Sequence, residues 1–152
     1  MPVEPIASRP RFRGYRITED AEGLLQWSWA VERLAAARSY WISTTRPDGR
    51  PHAMPVWGIW RNGELYFGSG AESQKARNLR ASPEVVAHLE SGDEVVILEG
   101  VAEKVEDDAV AAEYERKYAV PVGSSFYAVR PRRAFAWTEQ EYPQTATRFD
   151  FE

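Results

Sequence analysis

Tyr40-Trp-Ile-Ser-Thr-Thr45, Pro47-Asp-Gly49, Ala53–Trp60, Arg61-Asn-Gly63 and Glu64–Gly68 decide the fold of this chain. The first run is aromatic and β-branched, which suits a pleated, half-buried strand. Pro-Asp-Gly supplies turn chemistry. Asn-Gly between two apolar runs is the strongest short-range hairpin signal, because both residues accept the backbone angles of a tight turn. Three strands joined by two tight turns read as an antiparallel meander.

Working outward, residues 1–24 are polar and broken by Pro2, Pro5, Pro10 and Gly14, so they read as an extended arm. Leu25–Arg38 reads as a helix, with Trp27, Val31, Leu34 and Ala35 on one face. Beyond the meander, Ser73 opens a short helix that stops at Ser82-Pro83, since the residue before proline leaves the helical region. Val85–Leu89 and Glu94–Val105 read as strands joined through Ser91-Gly-Asp93. Asp107 caps a helix carrying Val110, Tyr114 and Tyr118 on one face. Phe135–Thr138 and Thr147–Phe151 read as short late strands. The result is a mainly β, α+β chain: an antiparallel barrel with short flanking helices, one domain over 25–152 behind the arm. A parallel α/β sheet would need helices between nearly all strands.

At 152 residues the chain is long enough for one domain with a sizeable core. Six Trp, seven Tyr and six Phe suit a β-rich core, a subunit interface or a planar ligand. A net charge of −4 argues against a nucleic-acid partner. The absence of cysteine removes disulfide and thiol chemistry and fits a reducing cytoplasm. No apolar run reaches membrane-spanning length, and Met1-Pro-Val-Glu-Pro lacks the basic and apolar regions of a signal peptide. The expectation is a soluble cytoplasmic protein without a membrane partner.

Two local anomalies carry the chemistry. In Ser69-Gly-Ala-Glu-Ser73-Gln-Lys75-Ala-Arg77-Asn78 two cations sit in the first turn of a helix, where the backbone is already electropositive. That placement gathers donors around an anion such as phosphate, with Ser73 as cap or ligand. The plainer alternative is a solvated basic helix. The second anomaly is Pro55, which has no N–H for a β-ladder. A broken pairing there would leave backbone groups of Met54, Val56 and Trp57 seeking a partner, such as a planar heterocycle that Trp57 covers. The plainer alternative is a bulge or an edge strand. Together the two describe a cofactor with a ring system at one end and a phosphate at the other.

Other chemistries find little support. Gly68-Ser-Gly70-Ala-Glu-Ser73 imitates a dinucleotide fingerprint, but Ser73 replaces the third glycine and antiparallel hairpins precede it. His52 and His88 are the only histidines, and no metal site is expected. A lone strand histidine reads as structural. No G-x-S-x-G elbow, P-loop or EF-hand loop is present. Arg130, Arg132 and Arg133 around Pro131 read as a solvated face, with an anionic ligand as the alternative.

The quoted residues resemble the split β-barrel flavin and deazaflavin oxidoreductases related to pyridoxamine 5′-phosphate oxidase. The resembling pieces are Trp41-Ile-Ser-Thr-Thr-Arg-Pro-Asp-Gly-Arg-Pro-His52, Met54-Pro-Val-Trp57, Leu65-Tyr-Phe67, Ser73-Gln-Lys-Ala-Arg-Asn-Leu79 and Val95-Val-Ile-Leu-Glu-Gly100. Thr145-Ala-Thr-Arg-Phe-Asp-Phe151 is similar to the closing strand of the branch that commonly uses coenzyme F420. The resemblance implies a homodimer with cofactor sites at its interface. It implies that Met54, Pro55, Val56 and Trp57 lie along the ring system. Ser73, Lys75, Arg77 and Asn78 fall to the phosphate, Ser69 and Gln74 count among the cofactor-binding residues beside them, and Trp137 falls to the partner subunit's cofactor. Many relatives carry a basic residue where this chain has Gln74, which removes one phosphate charge. The implied activity is F420-dependent hydride transfer to a small unsaturated substrate. The alternatives are an FMN-dependent enzyme, or a carrier that binds flavin, F420 or haem without turnover. No catalytic side chain is named, because the cofactor carries the chemistry.

Overall fold

The computed structural model describes residues 4–152. The first three residues of the Met1-Pro-Val-Glu-Pro stretch lie outside the described residues. We number the strands and helices in chain order. β2 (Tyr40–Thr45) points Tyr40, Ile42 and Thr44 inward and leaves Trp41 and Thr45 exposed, the alternation expected of a half-buried strand. β3 (Pro51–Val56) pairs with it along its whole length, from Thr45 opposite Pro51 to Tyr40 opposite Val56.

The ladder therefore runs through Pro55, and the expected interruption there does not occur. β3 ends the sheet path. Pro51 and Pro55, spaced by an even number, turn their nitrogens the same way, and an unpaired edge needs no N–H. The break falls instead at Trp57, so Ala53–Trp60 forms two strands, β3 and β4 (Gly58–Arg61). The meander becomes two separate hairpins. β4 pairs with β5 (Glu64–Phe67), and β5 continues onto β8 with Leu65 opposite Val129.

The remaining strands are β6 (Glu84–His88), β7 (Glu94–Glu106), β8 (Ser125–Thr138) and β9 (Thr147–Asp150). The nine-stranded antiparallel sheet runs β1-β9-β8-β7-β6-β2-β3, with β5 also on β8 and β4 on β5. This is a split barrel with flanking helices. β8 is far longer than Phe135–Thr138. Pro131 conceals its first half, yet sits opposite Gly100 at a register shift between Glu99 and Gly100. A bulge is the place where a strand tolerates proline. The arginines around it meet carboxylates: Arg132 pairs with Glu84, Arg133 approaches Asp150 at 3.3 Å, and Arg130 lies 3.8 Å from both Glu64 and Glu103.

The arm contains β1 (Ile6–Ser8), which pairs with β9. Arg9 fastens it by donating to the carbonyls of Asp20 at 2.7 Å, Gln144 at 2.6 Å and Ala146 at 2.8 Å. α1 (Trp27–Ala36) buries Trp27, Ala30 and Leu34. Ala30 takes the core position expected of Ala35, which is exposed, because steps of three and four link Trp27, Ala30 and Leu34. Trp27 meets Trp60, Phe149 and Phe151 edge to face. The main core fills the barrel with Tyr40, Ile42, Leu65, Phe67, Leu98, Val129 and Phe149. A second cluster of Ile59, Tyr66, Val110, Tyr118 and Phe126 seats α3 (Asp108–Tyr118) outside β4 and β5. Asp107 caps α3, as expected, by accepting from the Val110 N–H at 3.0 Å.

Candidate cofactor site

α2 (Gln74–Ala81) follows β5 by a short loop and packs against β2. Ser73 caps it: its Oγ accepts from the Ala76 N–H at 3.2 Å and shares a hydrogen bond with Ser69 Oγ at 2.6 Å. The Arg77 N–H reaches the Ser73 carbonyl at 3.1 Å. The amides of Gln74 and Lys75 remain as the helix's open donors. Lys75 is half-buried, and burial holds its ammonium below the usual lysine range. Among the described residues, neither Lys75 nor Arg77 lies within salt-bridge distance of a carboxylate. A desolvated cation at the positive end of a helix, without a counter-charge, is the arrangement an anion would complete.

The neighbours differ in exposure and in what they hold. Arg77 is exposed and donates to Gln74 Oε1 at 2.7 Å. Gln74 Nε2 donates to Asn78 Oδ1 at 2.7 Å, and Asn78 Nδ2 donates to Thr44 Oγ1 at 2.9 Å. Asn78 is 0 % exposed, so its amide binds helix to sheet and does not face a ligand. The uncharged Gln74 thus aims Arg77 and anchors Asn78. Asn78→Ala should cost about 1–3 kcal/mol by stranding Thr44 and Gln74, roughly 2–12 °C in Tm for a chain of this size. Thermal unfolding of the cofactor-free protein checks this; an unchanged Tm removes the anchor.

His52 is the residue that sequence reading missed. It stands opposite Thr44 in the β2–β3 ladder, on the strand face that Thr44 and Asn78 share with α2. Its Nδ1 is shielded from solvent and has no hydrogen-bond partner, so the structural role expected of it leaves a polar atom unsatisfied. Burial, then the charges of Arg46 and Lys75, hold its pKa below the ordinary histidine value. Only the unpaired nitrogen beside Lys75 marks it, and no sequence pattern carries that signal. The orphaned Nδ1 and the uncompensated Lys75 fit a polar, phosphate-bearing group.

Strand alternation divides the ring-side residues. Met54 and Val56 share a face with His52, whereas Pro55 turns to the other face opposite Trp41. Met54 is 44 % exposed and available to a ligand. Trp57 stacks on Tyr118 at 4.5 Å with parallel planes, so one of its faces is already covered. The freed backbone lies at Gly58, and α3 satisfies it. Gly58 N–H donates to Tyr118 Oη at 2.9 Å, and Lys117 Nζ donates to the Gly58 carbonyl at 2.9 Å. Met54 and Val56, whose backbone groups were expected to await a heterocycle, stand instead in the ladder opposite Ile42 and Tyr40. Trp137 stands apart, among Phe12 and Tyr142 near the arm, and the fold does not bring it to Ser73–Asn78.

The split barrel with short flanking helices is the architecture of the pyridoxamine 5′-phosphate oxidase-like class. Residues 29–144 match the pyridoxamine 5′-phosphate oxidase family, and the chain belongs to that family. No curated protein sequence matches it. Among solved structures it is similar to a conserved hypothetical protein from Mycobacterium tuberculosis. That match has 27 % identity and a TM-score of 0.68, covering 80 % of this chain and 89 % of the other. An F420 reductase matches at 26 % identity and a TM-score of 0.56, over 68 % and 94 % of the two chains. A haem-storage protein from Vibrio cholerae shares the fold at 16 % identity and a TM-score of 0.60, over 70 % and 91 %. Among the described residues no helix is long and apolar enough to cross a membrane, and no cluster of metal-ligating side chains occurs.

Proposed function

We propose that this chain is an F420-dependent oxidoreductase that reduces a small unsaturated organic substrate. The observation that carries the reading is the pairing of Lys75, half-buried without a counter-ion, with His52, whose Nδ1 is buried without a partner. The likeness to an F420 reductase at 26 % identity supports deazaflavin over flavin.

In this reading the open amides of Gln74 and Lys75, the Lys75 ammonium and the Ser73 and Ser69 hydroxyls hold the phosphate. Arg77 stands at its solvent side, and Asn78 keeps the helix in register with β2. His52 would offer its ring to the bound molecule, and Met54 and Val56 would lie toward its flat part. Pro55 and Trp57 shape the strand end from the far side. When bound, F420 supplies the hydride, from C5 of its deazaflavin ring; the chain binds, orients and excludes water.

A homodimer is part of the proposal. Pro55, Trp41, His88, Ile97 and Phe135 lie in one row across the outer face of the sheet, with Trp41 36 % exposed. Covering such a row with a second copy would bring Trp137 to the partner's cofactor.

Spectral titration of purified protein with F420, FMN and haem tests the reading, followed by hydride transfer from reduced F420 to a panel of activated alkenes. Tight F420 binding with turnover is expected. FMN or haem binding as tightly as F420 would overturn the cofactor, and tight binding without turnover would make the chain a carrier.

A further inference from the structure

Trp57 is the one residue between β3 and β4, since β3 ends at Val56 and β4 begins at Gly58. No ladder fixes it, so its place is set from outside the sheet. We propose, resting on the F420 reading above, that Tyr118 at the end of α3 is a positioning residue for the ring end of the cofactor site. It holds Trp57 and Gly58, and through them residues 54–56 of β3.

β3 is an edge strand paired only with β2, whereas β4 turns to β5. A chain that changes partners at one residue leaves backbone groups there to be satisfied by other means. Tyr118 supplies both a ring and a hydroxyl. The ring lies parallel to Trp57 at 4.5 Å, and the Arg38 guanidinium stands beside both, 5.1 Å from Trp57 and 5.4 Å from Tyr118. The hydroxyl oxygen lies 2.9 Å from the Gly58 nitrogen, 2.7 Å from the Arg38 carbonyl and 3.0 Å from the Gly58 carbonyl. A phenol has a single proton to donate. Lys117 Nζ already donates to the Gly58 carbonyl at 2.9 Å, so the Tyr118 proton goes to Arg38, just beyond α1, while its oxygen accepts from the Gly58 N–H. Burial pushes the phenol above the ordinary tyrosine value, which keeps that proton in place at neutral pH.

The break is also packed closely against the barrel. A Cβ on Gly58 would stand 2.9 Å from the Tyr66 carbonyl oxygen and 3.1 Å from the Tyr40 ring. The ends of α1 and α3 therefore meet the β3–β4 break at one hydroxyl. The two ends of the site are held by different contacts. Val56 lies opposite Tyr40 and next to the break, whereas His52 lies opposite Thr44, where Asn78 ties α2 to β2 at 2.9 Å. Removing the Tyr118 hydroxyl would free the Gly58 end of β3 and leave the α2 end anchored.

The test compares Tyr118→Phe, which keeps the stacked ring, with the parent chain. In the cofactor-free protein, hydrogen exchange at the Gly58 amide should quicken by roughly tenfold, because its acceptor is gone. F420 binding, titrated well below the unfolding transition, should weaken by roughly 3- to 30-fold. Inorganic phosphate, a probe of the α2 end alone, should bind within about twofold of the parent. Lys75→Ala should weaken both ligands, and Tyr114→Phe, the same change one turn earlier in α3, should alter neither. A purely structural tyrosine would weaken F420 and phosphate together or leave both intact. Either pattern would overturn the proposal, as would unchanged exchange at Gly58. A parent chain that binds no F420 would remove the oxidoreductase reading and the role of Tyr118 with it. Equal F420 binding by the parent and the variant would remove the role of Tyr118 alone.

Discussion

Lys75→Ala is expected to weaken F420 binding by about 1.5–3 kcal/mol, the worth of a hydrogen bond to a charged group, or roughly 10- to 150-fold in Kd. The same change should leave the cofactor-free protein no less stable. Burial lowers the pKa of Lys75, so in the folded chain its protonated form is held at a cost. That cost is present at neutral pH and disappears as pH rises through the lowered value. Alanine removes both the desolvated charge and its repulsion from the helix terminus, which is worth about 0.3–1 kcal/mol. A ligand-binding residue loses affinity while Tm holds or rises, whereas a structural residue loses both. Fluorescence titration beside thermal unfolding reads the two quantities. An unchanged Kd would remove Lys75 from the site and leave α2 a solvated helix.

Much of α2 is legible in the sequence. The cap at Ser73, the stop at Ser82-Pro83 and the cations of the first turn follow from the local chemistry of a helix terminus, and α2 obeys them. Three features escaped for one shared reason: each depends on a partner distant in sequence. Pro55 stays paired because β3 is an edge, which only the sheet order reveals. Asn78 turns inward because Thr44 is there to receive its amide, 34 residues away. His52 gains interest because its Nδ1 finds no partner. Local reading identifies donors and acceptors but not which of them the fold consumes. The same limit explains β8: Pro131 ends a strand by local rules, and only the glycine facing it permits the strand to continue.

That glycine supports the second large prediction. A Cβ built on Gly100 would stand 2.0 Å from the Arg130 carbonyl oxygen, 2.8 Å from its carbon and 3.0 Å from the Pro131 Cα. All three are backbone atoms of β8, so no side chain can move aside. Gly100→Ala should therefore force β7 and β8 apart at the bulge and cost about 3 kcal/mol or more, lowering Tm by roughly 6–12 °C. Gly70→Ala is the control, since nothing lies within 4 Å of a Cβ there, and it should leave Tm nearly unchanged. The bulge also marks where β8 changes partners, from β5 at Tyr127–Val129 to β9 at Arg133–Ala136. β5 leads directly into the Ser69–Ser73 turn and α2, so strain at Gly100 should reach the proposed phosphate end. The expected signature is a fall in Tm together with weakened F420 binding measured well below the unfolding transition. A fall in Tm with an unaltered Kd would show that α2 is placed by β2 and Asn78 alone, and a Tm within about 2 °C of the parent would show that the bulge can relax around a methyl group.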